Sequence, residues 1–537
     1  MTRLLIALAC LTGTALGAQQ GGVDIQRYRY EITLPDTGKV ITVLADIEFD
    51  RDGGVGALRL DLLAPMRVKR VRRGCGSSGL TNAKFTHDGQ TVVIALGDSS
   101  TAERACVRLE YSGAAVDGLV ITTDSADRWR AFGDNWPNRA RHWLASIDHP
   151  SDKAMVEFVV DAPTERRVVA NGAQRATQAQ STRTRTTWAT RFPIPTYLMV
   201  IAAAPLEQYS LGLTACGLGA VERCVPQQVF TAPEQARFLP GNFRFADDIV
   251  RFFARTVGWF PYAQLAHVQS STRFGGMENA GAIFYADRLF RSQDGVSVGL
   301  IAHETAHQWF GDAVTQGEWG HLWLSEGFAT YFAALYTEYA TGPDAFRTEL
   351  DGMRRQVIGS PVVAERPVLD TAQTDLMALL NANSYQKGGF VLHMLRSEVG
   401  DSAFFRGVRN YWTAHRHGNA LTNDLRAAVE REAGRDLEWF FSQWLTRPGF
   451  AEVATSWAHD SATGEVTLTV EQGSRFGAYR FPLRLEVEGA QGEKTLVRVE
   501  IPAESSARVA LPGRWSAAPR AVRPDPHMEL LAEFRVP

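Results

Sequence analysis

The sequence predicts a multidomain α+β protein: an N-terminal β-sheet domain, a mostly helical central domain and a C-terminal β-sandwich. Three observations predict it. Apolar residues alternate with a period of two up to about residue 208, take helical spacing from about 209 to 448, and alternate again to the end. Arg447-Pro448-Gly449 marks the second change with a helix stop and a breaker pair. A length of 537 residues suits three to five domains at roughly 100–200 residues each.

The elements follow in order. Met1–Ala18 has a basic start at Arg3, an apolar run Leu4–Leu11 and small residues at Ala15, Gly17 and Ala18. That is the layout of a secretory signal peptide, so an exported protein, periplasmic or secreted, is expected. Residues 19–208 hold alternating stretches such as Tyr28–Leu34, Val40–Phe49 and Lys153–Val160. Thr182–Phe192 reads as a solvated hairpin, and Tyr197–Pro205 as a buried strand. Residues 209–448 carry helical runs at Phe243–Val257, Val296–Phe310, Ala329–Thr341 and Ala403–Ala414. Residues 449–537 return to strands, enough for one small β-sandwich.

Composition excludes several classes. With 56 basic and 59 acidic residues the net charge is −3, so no nucleic-acid partner is expected. No window is long and apolar enough for an integral membrane segment. Cys75, Cys106, Cys216 and Cys224 remain after signal removal and permit two disulfides, with sequence order favouring Cys75–Cys106 and Cys216–Cys224 among three possible pairings.

The chemistry concentrates between Gly275 and Tyr385. His303-Glu304-Thr305-Ala306-His307 is an HExxH motif in a helical stretch. Residues i and i+4 share a helix face, so two imidazoles converge on one point as metal ligands, with Glu304 beside them to take a proton from water. A catalytic zinc needs a third protein ligand, and Glu326 opens the next apolar helical run after eighteen intervening residues. Gly275-Gly276-Met277-Glu278-Asn279 reads as a strand edge that a substrate backbone can approach closely. Ser384-Tyr385-Gln386-Lys387 also contains an SxxK pattern, which lacks the companion motifs of serine acylases.

Taken together, Gly-x-Met-Glu-Asn, HExxH, the Glu eighteen residues on, and Tyr385-Gln386-Lys387-Gly388 resemble the aminopeptidase N and leukotriene hydrolase family of zinc metallopeptidases. The segment ending Ile147-Asp148-His149-Pro150 is similar to that family's N-terminal substrate segment. The resemblance implies a thermolysin-like catalytic domain and one zinc ion per chain, held by His303, His307 and Glu326. It implies Glu304 as general base and acid, Tyr385 as donor to the oxyanion, and Glu278 as anchor for the free α-amine of a peptide. Gly275, Gly276, Met277, Glu278 and Asn279 then line the substrate backbone. The expected partner is a peptide with a free N-terminus, and the expected state is a monomer. A zinc endopeptidase on the same core, or a non-catalytic peptide-binding relative, is the alternative.

Several positions depart from the family. Ser325 stands where Asn is usual, His321 where Asp is frequent, and Ala333 where an acidic group commonly orients a ligand. His321 is expected to be structural. The family's N-terminal-domain Gln or Glu near the substrate amine has no clear match; between Asp134 and Arg141, only Asp134, Asn135 and Asn138 could serve. The family's C-terminal helical domain is expected to be lacking.

Overall fold

The computed structural model describes residues 20–76, 78–97, 100–214 and 224–535. The signal segment Met1–Ala18 and Cys216 lie outside the described residues. Cys75 and Cys106 form a disulfide with Cα atoms 5.8 Å apart.

The N-terminal domain is built on a nine-stranded sheet. Its centre pairs Val23–Thr33 with Val40–Arg51 antiparallel and with Lys153–Pro163 parallel. Inward residues alternate along these strands, and Tyr28, Tyr30, Ile32, Ile47 and Phe158 are buried. The segment expected to be a solvated hairpin is instead one strand of the sheet, Arg183–Ala189, between Ala173–Gln180 and Lys153–Pro163. Trp188 turns inward and is 2% exposed, and Arg183 and Arg185 pair with Asp161 and Glu31. An indole on the inner face and ion pairs on the outer one hold this strand in place. The buried strand after Tyr197 is shorter than expected, Ile201–Ala204, and follows a 3₁₀ turn at Thr196–Leu198.

The catalytic half opens with a five-stranded sheet. Its order is Glu207–Thr214, Val225–Thr231, Leu265–Ser270, Ala282–Ala286 and finally Gly276–Met277. The last strand pairs antiparallel through Gly276–Tyr285 and Met277–Phe284, and its outer edge pairs with no other strand among the described residues. Three helices build the site beside that edge: α1 (Val298–His307), α2 (Trp323–Thr341) and α3 (Gly388–Val399). Ser297 caps α1 by accepting from the Leu300 N–H at 3.2 Å. Two C-terminal sheets, of four and three strands, follow the helical region and alternate buried and exposed residues.

One hydrophobic core crosses the boundary between the first two domains. It joins Trp136, Trp143 and Leu198 to Met277, Phe284, Trp319 and Leu379. A polar seam lies beside it. Buried Lys153 donates to the carbonyls of Asp312 at 2.9 Å, and of Ala313 and Gly418 at 3.1 Å. Tyr197 Oη donates to the Gly311 carbonyl at 3.0 Å. The N-terminal domain therefore grips the turn that ends α1. Lys153→Met keeps the length and loses the donor; the Asp312 and Ala313 carbonyls keep Thr315 Oγ1 and the His417 N–H, and that of Gly418 loses its side-chain partner. Hydrogen bonds from a charged donor contribute ~1.5–3 kcal/mol, so a loss of about 1–2 kcal/mol is expected by urea denaturation. A change under about 0.5 kcal/mol would reject the seam as a fastener.

Candidate active site

The ligand set begins with the geometry of α1. Its apolar face buries Ile301, Ala302 and Ala306, which turns His303 and His307 to the opposite face. Their Nε2 atoms stand 3.1 Å apart. Glu326, in the first turn of α2, places Oε2 3.3 Å from each. A glycine next to the Glu326 ligand sets a further close contact of α2. A Cβ on Gly327 would fall 2.9 Å from the Gly388 carbonyl carbon, so Gly327 also brings α2 against the start of α3.

These three atoms fit a zinc ion. Bonds of ~2.0–2.1 Å at tetrahedral angles separate neighbouring ligand atoms by about 3.3 Å. The tautomer agrees. His307 Nδ1 donates to the Phe310 carbonyl at 3.2 Å and lies 3.1 Å from Ser325 Oγ, which leaves the Nε2 lone pair pointing at the site. Glu326 Oε2 is buried and makes no well-formed hydrogen bond among the described residues. The field also calls for positive charge. Burial works to lower the His307 pKa, but Glu326, Glu278 and Glu304 outweigh it and hold the imidazole up to about 10. Burial works to raise Glu326, but His307 and His303 bring it down to about 2.

Ser325 fills the place of the absent Asn. Its hydroxyl reaches His307 because Gly311, at φ +109°, leaves room: a Cβ there would sit 2.2 Å from Ser325 Oγ. His321 is structural, as expected. Its Nδ1 accepts from Thr422 Oγ1 at 2.9 Å and Thr422 N at 3.2 Å, beside Trp323 Nε1, which donates to the same hydroxyl. Ala333 packs against the helical core.

Glu304 and Glu278 stand around this set. Burial pushes the Glu304 carboxyl well above the usual carboxylate range, with Glu278 and Glu326 adding to the rise. Burial, aided by Glu326, pushes Glu278 up to about 7. A cation at the ligand set works against both rises. Glu304 leans against the edge strand, where a Cβ on Gly276 would fall 2.2 Å from its Oε1. Gly276 therefore makes space for the acid. Glu278 is 6% exposed and makes no ion pair with Arg or Lys among the described residues. Gln308, unassigned from sequence, ties this loop to α1. Its side chain donates to the Glu278 carbonyl at 2.9 Å and accepts from Gly281 N at 2.8 Å. Asn279 is fully buried, and its side-chain amide has no partner among the described residues.

Tyr385 lies on a π-helical turn, Asn383–Lys387, immediately before α3. Such turns are frequent at functional sites because the extra residue redirects a side chain. Its ring stacks on His303 with centroids 6.0 Å apart and planes 9° from parallel. Burial, with Glu326 and Glu278 nearby, keeps its hydroxyl protonated well above the usual phenol range. The SxxK residues serve the fold: Ser384 Oγ donates to the Leu379 carbonyl at 2.7 Å, and Lys387 Nζ to that of Arg447 at 3.1 Å.

None of the three polar candidates, Asp134, Asn135 and Asn138, lines the cavity that holds Glu278. Asp134 pairs with Arg139 at 2.9 Å, and the Asn135 side chain is held by Met199, Thr196 and Trp143. Trp136 enters instead, lining a cavity of about 340 Å³ with Glu278, Glu304, Tyr385 and the ligand set.

Comparison with known proteins agrees with this arrangement. The description "Peptidase family M1 domain" matches residues 248–444, and "Peptidase M1 N-terminal domain" matches residues 67–198. Aminopeptidase N of Streptomyces lividans is 28% identical over 510 residues, covering 88% of this chain and 55% of that protein. Glutamyl aminopeptidase of Bos taurus is 27% identical over 333 residues, covering 60% of this chain and 34% of that protein. The chain spans about half the length of the first curated relatives it matches. Among solved structures, Legionella pneumophila aminopeptidase A superposes with a TM-score of 0.83 at 17% identity, covering 96% of this chain and 60% of that one. An M1 zinc metallopeptidase from Deinococcus radiodurans gives 0.69 at 24%, covering 80% and 95%. These two share the fold.

The geometry makes Ser325 an orienting group for His307. Ser325→Ala is expected to weaken zinc binding about 10-fold, the lower end of the ~10–100-fold range for such contacts, because the Phe310 carbonyl still accepts from Nδ1. Competition with a chromophoric chelator measures it, and an unchanged affinity rejects the role.

Proposed function

The chain belongs to peptidase family M1, and from that premise we propose that it is an exported zinc aminopeptidase, which hydrolyses the first peptide bond of peptides bearing a free N-terminus. One observation carries the reading. A single cavity holds a three-ligand metal set and, separately, the buried carboxylate Glu278, with no Arg or Lys paired to it among the described residues.

The residues divide the work. When bound, zinc supplies a Lewis acid that polarises the scissile carbonyl and makes water nucleophilic near neutral pH. Glu304 takes the proton of the attacking water and returns it to the leaving amine. Tyr385, protonated throughout, donates its O–H to the oxygen where negative charge develops. Glu278 receives the α-ammonium, which neutralises a buried carboxylate. The free edge of Gly276–Met277 aligns the peptide backbone. The distance from Glu278 to the ligand set then sets the cleavage point one residue from the amine. A blocked N-terminus leaves Glu278 buried and unpaired, which is costly.

The signal-like layout of Met1–Ala18 and the Cys75–Cys106 disulfide support export, since disulfides persist in oxidising compartments. The working unit is proposed to be a monomer with one zinc.

Three assays test this. Aminoacyl amides with a free amine are expected to be cleaved in a chelator-sensitive manner, and their N-acetyl counterparts left intact. Cleavage of the acetylated set would show an endopeptidase. Glu304→Gln is expected to keep stoichiometric zinc and lose ~10²–10⁴-fold in rate; full activity would sink the base assignment. Tyr385→Phe is expected to lower kcat ~10²–10³-fold with KM little changed; a shift confined to KM argues against an oxyanion donor.

A further inference from the structure

The cavity contains side chains that the chemistry does not use. They are Trp136, Phe274, Met277, Leu300 and Leu380. None is charged, and the Trp136 indole N–H is the one hydrogen-bonding group among them. The other lining side chains are the carboxylates, imidazoles and phenol already given roles.

The cations nearest in sequence to this wall are engaged elsewhere. Arg273, next to Phe274, donates to Asp117 at 2.8 Å and lies 3.5 Å from Asp134. Arg139 bonds the same two acids, at 2.7 and 2.9 Å. Neither lines the cavity.

The aromatic part of the wall is assembled from separate segments. Trp136 comes from the N-terminal domain and is 2% exposed. Its ring stands edge-on to Phe274 at 6.2 Å and to Trp319 at 5.7 Å, and Trp319 leans on Tyr197 at 5.4 Å. These contacts hold the indole rigidly. Half-buried Phe274 and Leu380 leave apolar surface to the cavity.

The shared cavity relates this wall to the groups assigned to a peptide's amine and first carbonyl. Met277 adjoins Glu278, the amine anchor, and Leu380 lies five residues before Tyr385, the carbonyl donor. These apolar groups line the same cavity as Glu278, Tyr385 and the ligand set, so a side chain carried between a peptide's amine and its first carbonyl would enter among them. Leu300 stands apart, 4.0 Å from where a Cβ on Gly275 would lie.

We propose that this wall receives the side chain of the N-terminal residue and selects large apolar and aromatic residues, with Trp136 the specificity-determining residue. The proposal rests on the aminopeptidase reading of the same cavity. Aromatic guests gain edge-to-face contact with Trp136 and Phe274, and Met277 adapts to their shape. An acidic guest loses its hydration, finds no cation, and faces Glu278, Glu304 and Glu326. A small guest leaves the wall unfilled, and in apolar pockets each missing methylene costs ~10–200-fold in kcat/KM.

The test is kcat/KM for aminoacyl amides that share one leaving group, with Phe, Leu, Ala, Asp or Lys in first place. Wild type is expected to prefer Phe and Leu over Ala by at least ~10-fold and over Asp by at least ~100-fold. Trp136→Ala should shrink the Phe-to-Ala ratio ~10-fold, and Trp136→Phe should restore most of it. An unchanged ratio in Trp136→Ala, or a wild-type preference for Asp or Lys, overturns the proposal. Leu380→Arg, at a half-buried site, provides a second arm in which Asp should gain at least ~10-fold over Phe; no gain counts against the wall. Binding separates failure here from failure of the parent reading. If no amide is cleaved, the aminopeptidase reading fails, and thermal shifts of the zinc-loaded protein with free L-Phe and L-Asp decide the pocket. Protection by Phe alone, lost in Trp136→Ala, supports the wall, and equal protection by both overturns it.

Discussion

Two imidazole nitrogens 3.1 Å apart, with a carboxylate oxygen 3.3 Å from each, form a triangle that does not stand by itself. Converging lone pairs repel, and a buried carboxylate without a partner is costly. Positive charge resolves the conflict, whether a proton on His307 or a bound metal ion supplies it, and the surrounding fold must hold the donors in place for either. Much of the nearby structure answers that demand. Gly327 lets α2 close on α3, Gly311 lets Ser325 reach His307, and the Phe310 carbonyl fixes the tautomer. The residues are small or backbone because bulk at these positions would separate the helices.

The second demand is that two domains meet in register. The end of α1 turns at Gly311–Ala313, and the N-terminal domain holds that turn by Lys153 and Tyr197. The apolar core beside the seam runs from Trp143 to Phe284, and so reaches the sheet whose edge faces the ligands. A shift of the N-terminal domain would therefore move three things at once: the turn after the second histidine, the edge strand, and the indole of Trp136. The site behaves as a property of the interface, although all the proposed chemical groups come from one side of it.

Part of this was legible in the sequence. The HExxH spacing is a one-dimensional signal, because i and i+4 meet on any helix. Glu326 was legible as a carboxylate opening an apolar helical run, and the change from period two to helical spacing showed the layers. Three groups were not legible. Lys153 bonds a carbonyl 159 residues away, Gln308 one 30 residues away, and Trp136 meets its rings across a domain boundary. Nothing in local pattern encodes such pairings. The Thr182–Phe192 segment failed for a related reason. Its polar alternation described the outer face correctly, but the inward Trp188 and the strands on both sides were set by the sheet.

The division of labour explains why the departures from the family pattern cluster where they do. Groups that touch reacting atoms are constrained by distance to a fraction of an ångström. Groups that orient them need only present an acceptor in the right direction, so Ser325 with Gly311 can do what a larger amide does elsewhere. Groups that line the side-chain wall carry no chemical step. With the Trp136 indole lining the cavity there, Glu278 is the group proposed to anchor the amine. On the proposed reading, recognition of the first residue rests on shape and apolar contact. Such a site discriminates by size over orders of magnitude, yet it rejects charge more strongly still, because burying an unpaired charge costs more than leaving a methylene-sized gap.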